Sequence, residues 1–282
     1  MRLRIQSASG SFNILVLIFS FLPLLQLPSV VLAQGSGERP HVGLVLSGGG
    51  ALGMAHVGVL KVMEEAGLRP DYITGVSMGS IVGGFYSIGY KADSLEKIIK
   101  NMNWDLMLSN KIEEDKVIYS EKKHFHNSII SLPVTLKKVR LPSGLIYGQQ
   151  IESMLSFYGW PAADINDFSK LPVPFMCLGT DLITCKKINL KSGYLPDAMR
   201  ASMAVPSIFT PQKIDTVLLV DGGILRNFAA QEVKDMGADI IIGSYTGRHL
   251  SKENELQTIP EIMGQLGFFI GYYDFTCISR HP

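Results

Sequence analysis

Between Arg4 and Glu38 the sequence carries no charged side chain. That stretch is apolar from Phe12 through Leu27 and closes on Val31-Leu32-Ala33, the pattern of a secretory signal cleaved after Ala33. Pro23, Gln26 and Pro28 interrupt the run and argue against the alternative, an uncleaved spanning helix. No cysteine follows it, which argues against a lipoprotein-type anchor. The expectation is an exported protein: periplasmic, outer-membrane-associated or extracellular. Cysteine is scarce throughout. Cys177, Cys185 and Cys277 make no metal-binding spacing and cannot all pair within one chain. Cys177 lies in an apolar run and reads as a small buried hydrophobe; a Cys177–Cys185 bridge requires an oxidising compartment. A net charge of +1 supplies no positive excess to attract nucleic acid. Residues 91–140 are locally basic, with Lys137, Lys138 and Arg140, as a solvated face or a contact for anionic headgroups. There is no internal repeat and no low-complexity segment.

What is present is enough apolar sequence for a large core. Gln34 to Pro40 reads as a polar linker, and Val42-Gly43-Leu44-Val45-Leu46 as a fully buried strand ending at the turn Ser47-Gly48-Gly49-Gly50. From Ala51 the spacing predicts a helix, with Leu52, Ala55, Val59, Val62 and Met63 on its apolar face and Gly67 as its stop. Tyr72-Ile73-Thr74 is a second short strand, and Ile81 to Ile88 a second, glycine-containing helix. Strand, helix, strand, helix is the opening of an α/β layer with a parallel sheet. The middle of the chain, 90–170, holds a helix capped by Ser94, irregular strands within Val117 to Val139 and a helix from Gln149 to Phe157. It reads as an insertion or lid-like region. Strands return at Pro174 to Leu178, Val217 to Val220 and Ile240 to Ile242, with helices ending at Ser202 and Met236.

Three features fall at the carboxyl ends of these strands, where open α/β sheets bind ligands. The first is Gly75-Val76-Ser77-Met78-Gly79, the Gly-x-Ser-x-Gly of a nucleophile elbow at a strand-to-helix turn. The second is the loop Gly48, Gly49, Gly50, whose backbone N–H groups, together with that of Met78, suit an oxyanion hole. Gly48, Gly50 and Gly53 also satisfy a dinucleotide-binding pattern, but the second strand runs into the elbow instead of ending on an acidic residue. The third is Asp221-Gly222-Gly223, an aspartate directly after an apolar strand. A serine nucleophile needs a base, usually a histidine. Of the six histidines (His41, His56, His124, His126, His249, His281), none follows a strand at the active edge with a flanking turn signal, so each reads as a surface or packing residue.

Gly48-Gly49-Gly50-Ala51-Leu52-Gly53, the Gly75–Gly79 elbow and Asp221-Gly222-Gly223 resemble the patatin-like phospholipases, in particular their secreted bacterial type. The resemblance spans about Val42 to Gly243 and includes Gly179-Thr180-Asp181-Leu182 and Arg200-Ala201-Ser202. It implies a three-layer α/β/α fold with a mostly parallel central sheet, and one acyl hydrolase domain over 34–282 with its core at about 42–243, after a signal at 1–33. It also implies a histidine-free Ser–Asp dyad with Ser77 as nucleophile, Asp221 as its partner and the Gly48–Gly50 loop as oxyanion hole. No metal or organic cofactor is implied. The implied substrate is a lipid or phospholipid ester, with peripheral membrane contact. Leu52 stands where the family often has Arg or Lys, Cys185 where glycine is common, and Ala229-Ala230 replaces a frequent proline. Some relatives continue into a barrel, and the tail ending Tyr272-Tyr273-Asp274-Phe275-Thr276-Cys277 reads as cut off. The rival readings are an α/β-hydrolase with Ser77, Asp221 and His249, Asp181 as the acid in place of Asp221, and a non-catalytic binding or passenger module of the same fold.

Overall fold

A computed structural model describes residues 39–110, 134–135, 138–139, 144–247 and 250–258, with isolated positions at 262, 265, 269 and 275. The signal at 1–33, the strands expected within 117–133, Lys137, Arg140, His124, His126, His249, His281, Phe268, Tyr272 and Cys277 lie outside the described residues.

Strand β1, Val42–Leu46, is buried at every residue. Successive side chains of a strand point to opposite faces. Leu44 and Leu46 therefore join the larger core while Val45 joins a second core with Phe228, Val233 and Ala238. A 3-10 turn over Gly50–Ala55 leads into α1, His56–Glu65, whose buried face is His56, Val57, Leu60 and Met63. Leu52 and Val62, expected on that face, are exposed instead. Six residues at three per turn advance the phase by about 120° relative to 3.6 per turn, which turns Leu52 away, while Val59 and Met63 keep to the core as expected.

Strand β2, Tyr72–Gly75, and helix α2, Met78–Ser87, flank the elbow. Helix α3, Ala92–Asn101, starts from Lys91 as its N-cap and not from Ser94, with Asp93 in the first turn complementing the helix dipole. The short α4, Trp104–Met107, follows. Strands β3, Val134–Thr135, and β4, Lys138–Val139, form a two-stranded ladder. Strand β5, Gly144–Ile146, precedes α5, Gln149–Gly159. Leu95, Ile151, Leu155 and Phe168 are in the larger core, so the described parts of 90–170 belong to the body of the domain and not to an insertion or lid. After these come β6, Phe175–Asp181, β7, Lys186–Leu190, and α6, Leu195–Ser202. The chain continues through β8, Ser207–Phe209, β9, Gln212–Ile214, and β10, Val217–Asp221. It then forms α7, Ala230–Asp235, and β11, Ile240–Ser244.

The main sheet runs β11-β1-β2-β6-β10-β9, with β7 also on β6. It is parallel from β11 to β6 and antiparallel beyond, a mixed sheet within an α/β architecture. Phe175 and Cys177 face the larger core; Met176 and Leu178 face a small core with Val76 and Ala229 on the other side.

The long strand β6 borders two strands on one edge. Ile73–Gly75 of β2 pair with Phe175–Cys177, and Leu219–Asp221 of β10 pair with Asp181–Gly179. The flanking hydrogen bonds, Ile73 N–H to Pro174 O and Leu182 N–H to Leu218 O, use residues of β6 and its extensions an even number apart. Backbone groups alternate between edges, so both partners sit on the same edge. Strands β2 and β10 run in opposite senses, and their carboxyl ends converge beside Leu178. The glycine elbow leaves one end and Asp221 occupies the other.

Cys177 and Cys185 are free thiols, Cys177 buried and Cys185 exposed, so no bridge joins them. Cys185 sits in the β6–β7 hairpin at φ 53°, a conformation natural to glycine. Replacing Cys185 by Gly is expected to raise stability by about 0.5–1 kcal/mol, read as an upward shift in thermal midpoint. A lower midpoint would show that the thiol makes contacts that outweigh the strain.

Candidate active site

Ser77 has φ 53° and ψ −122°, a strained geometry for a residue with a side chain. The turn is that tight because its glycines admit close approach. A Cβ on Gly75 would stand 2.5 Å from Gly79 O, and one on Gly79 would overlap the carbonyls of Leu46 and Ser47. The Ser77 N–H donates to Ser202 Oγ at 3.0 Å. The Gly79 and Ser80 N–H groups donate to Val76 O and Ser77 O, while the Met78 N–H heads α2 with no acceptor inside the helix.

Asp221 ends β10 and caps a short 3-10 turn, accepting from the Gly223 N–H at 2.7 Å. The Ser77 hydroxyl lies beside this carboxyl and favours its ionised form. Burial pushes this carboxyl up to about 6, against the opposing pull of the Ser77 and Gly223 donors. Helix α6 and the turn after it clamp both partners: Ser202 Oγ accepts the Ser77 N–H, and Ala204 O accepts the Asp221 N–H at 3.0 Å. The fully buried Arg200 in turn ties α6 to the loop after β5, donating to Tyr147 O at 3.1 Å.

The glycine loop lies against the serine. A Cβ on Gly48 would stand 3.0 Å from Ser77 Cβ and 2.5 Å from Asn227 Oδ1. The Gly48 N–H donates to Asn227 Oδ1 at 3.0 Å, and Asn227 Nδ2 donates back to Gly48 O at 3.3 Å. This is a correction to the expected oxyanion hole, since the Gly48 donor is already engaged inside the protein. The N–H groups of Gly49 and Gly50 head the following 3-10 turn and have no acceptor within it. The third glycine of the dinucleotide-like pattern has a packing reason: a Cβ on Gly53 would stand 2.6 Å from Met78 Cβ. Leu52, where a basic residue was the family expectation, is half exposed.

His56 is fully buried, and both its ring nitrogens are engaged. Nε2 lies 2.8 Å from Ser47 O, so it carries the proton, and Nδ1 accepts from Ser244 Oγ at 2.8 Å. Burial lowers its pKa, keeping it neutral. It packs and fixes the loop ahead of Gly48, in keeping with its reading as a packing residue. Asp181, the rival acid, accepts from Ile183 N–H at 2.9 Å and Thr184 Oγ1 at 2.6 Å in its own hairpin, and the Thr184 bond leads in holding it below the ordinary carboxylate range. Asn227, Ser202 and His56 have positions at the site that sequence reading did not assign. A polar asparagine in front of Phe228-Ala229-Ala230 was the available signal. Among the described residues no cluster of His, Cys, Asp and Glu could hold a metal ion.

The model of the patatin-like phospholipase family matches residues 44–234, which is more than half of the sequence and contains the elbow, the glycine loop and Asp221. The chain belongs to that family. An uncharacterized NTE family protein of Mycobacterium tuberculosis is 28% identical over 219 residues, covering 76% of this chain and 51% of that protein. A lysophospholipase nte1 of Emericella nidulans is 30% identical over 211 residues, 73% of this chain and 12% of that protein. The chain therefore spans about half the length, or less, of these relatives. Among solved structures, VipD of Legionella pneumophila aligns with a TM-score of 0.41 at 14% identity, over 66% of this chain and 46% of that one.

Proposed function

We propose that the protein is a serine hydrolase of lipid acyl esters, of the phospholipase A or lysophospholipase type, working through Ser77 and Asp221 without a histidine. The carrying observation is the buried Asp221 carboxyl, set beside Ser77 where the ends of β2 and β10 converge and raised by burial to about 6, where a base is poised for work near neutral pH. In this mechanism Asp221 takes the hydroxyl proton as Ser77 Oγ attacks the ester carbonyl. The N–H groups of Gly49, Gly50 and Met78 receive the developing oxyanion. The tetrahedral species collapses, the alcohol or lysolipid leaves with the proton, and Ser77 carries the acyl group. Asp221 then removes a proton from water as it attacks the acyl-enzyme, and returns that proton to Ser77 Oγ as the bond to the acyl carbon breaks and the fatty acid leaves. The family match and the lysophospholipase named among the relatives support a lipid ester as substrate. A fluorophosphonate probe is expected to label the purified protein at Ser77, with labelling lost in Ser77→Ala. Labelling that persists in that variant overturns the nucleophile assignment.

A further inference from the structure

Next to the elbow the protein holds an apolar cavity that the chemistry above does not use. It begins at the Met78 side chain, one residue from the nucleophile, and continues along α2 past Ile81 and Val82 to Phe85. Met78 to Phe85 spans about 10 Å of helix. The opposite wall comes from α3. Only Ile88 to Lys91 connect the two helices, so they run antiparallel. The start of α3, at Leu95, therefore faces Phe85, and its end, at Met102, lies toward Met78. Trp104 and the half-exposed Leu108 stand at this open end, with the Trp104 indole held by its N–H bond to Ile99 O at 3.1 Å. Val82, Phe85 and Leu95 are almost fully buried and close the far end.

The lining is hydrocarbon and thioether: every side chain in it is Met, Ile, Val, Leu, Phe or Trp. A phosphate, choline or sugar group entering it would lose its hydration without a partner. An alkyl chain loses nothing and gains about 0.8 kcal/mol for each methylene taken from water. Methionine supplies four lining positions, Met78, Met102, Met154 and Met203. Unbranched side chains of this kind rearrange around a ligand more readily than branched ones.

We propose that this cavity receives the acyl chain of the ester cleaved at Ser77, and that Val82, Phe85 and Leu95 at its closed end set the chain length accepted. The occupant is an unbranched alkyl chain, because the lining drawn from α2, α3, α5 and the segments beside them offers it apolar side chains alone. The proposal rests on Ser77 as the nucleophile, and its test separates the two ideas.

The sequence has two tryptophans, Trp104 at the cavity mouth and the exposed Trp160. In Ser77→Ala protein, which turns nothing over, octanoate brominated mid-chain is expected to quench Trp104 fluorescence saturably in a Trp160→Phe background. A Trp104→Phe background is expected to show no saturable quenching. Absence of quenching at Trp104 overturns the pocket, whatever the enzyme's activity. Quenching at Trp104 in a protein whose wild type cleaves no ester leaves the pocket standing and rejects the hydrolase reading. For specificity, Val82→Phe is expected to lower hydrolysis of p-nitrophenyl octanoate at least about ten-fold relative to the butyrate, the range that a few methylenes command. Val82→Ala, which removes bulk from the closed end, is expected to shift preference toward the decanoate, with its circular dichroism checked against wild type. Unchanged chain-length ratios in both variants overturn the assignment of the closed end.

Discussion

Replacing Asp221 by Asn is expected to lower kcat/KM for ester hydrolysis by roughly 10²–10⁴-fold and, at the same time, to make the protein more stable. The loss of activity follows from removing the base that takes the Ser77 proton. The gain follows from linkage. Burial raises the Asp221 carboxyl to about 6 in the folded protein, above about 3.9 in the unfolded chain. Between those values the native state binds more protons than the unfolded state, so stability falls as pH rises through the window and stays at its lower level above it. A shift of about two units corresponds to about 3 kcal/mol at neutral pH. Asparagine carries no charge to desolvate and escapes that cost, and it still presents an oxygen to the Gly223 N–H. Thermal denaturation at neutral pH is expected to show the variant melting several degrees higher, with the difference gone near pH 4. The wild-type rate is expected to rise with pH through about 6 and then level, since the ionised carboxylate is the working form. A variant with full activity, or one that melts lower at neutral pH, contradicts this account of Asp221.

Asn227→Ala is expected to cost about 2–4 kcal/mol and to reduce kcat about 10²-fold. Asn227 is buried and holds both backbone groups of Gly48, so its removal leaves the Gly48 N–H unpaired inside the protein, while Gly48 O keeps the bond from Ser47 Oγ. The same removal frees the loop that carries the Gly49 and Gly50 donors, and an oxyanion donor displaced from its position loses most of its effect. Asn227→Asp separates the two roles. It keeps an acceptor for the Gly48 N–H but sets a second carboxylate close to Asp221; a Cβ on Gly223 would lie 2.9 Å from Asn227 Oδ1 and 3.0 Å from Asp221 Oδ1. Like charges at that separation raise the pKa of Asp221. The acid limb of the pH–rate profile is therefore expected to move upward in Asn227→Asp, while Asn227→Ala leaves it in place. Equal limbs in both variants would mean that Asn227 and Asp221 do not sense one another.

The parallel half of the fold was legible because its strands are short apolar runs; β1, β2 and β6 are covered on both faces, whereas β11, read as equally buried, is largely exposed and was legible by its isoleucines alone. The charged β7, Lys186–Leu190, was not legible, since an exposed hairpin strand draws its structure from its partner β6 and not from its own hydrophobicity. The phase of α1 was misread for a different reason. A 3-10 start breaks the period on which the apolar stripe is counted. At the site, Ser77 and Asp221 could be picked out by their glycine neighbours, which mark where the chain must turn sharply. Asn227 and Ser202 could not, because each matters only for the backbone group it meets after folding. The Gly48 donor was counted as available for the same reason: its acceptor is remote in sequence.

Strands β2 and β10 reach each other only along the shared edge of β6, and about half of the chain separates Ser77 from Asp221. Contacts that remote in sequence form late, after the entropy of closing the intervening loop has been overcome. Catalytic competence is then a reporter of completed folding. On the proposed mechanism, a nascent chain with its elbow already formed still lacks its base, and ester cleavage is expected only once β10 docks.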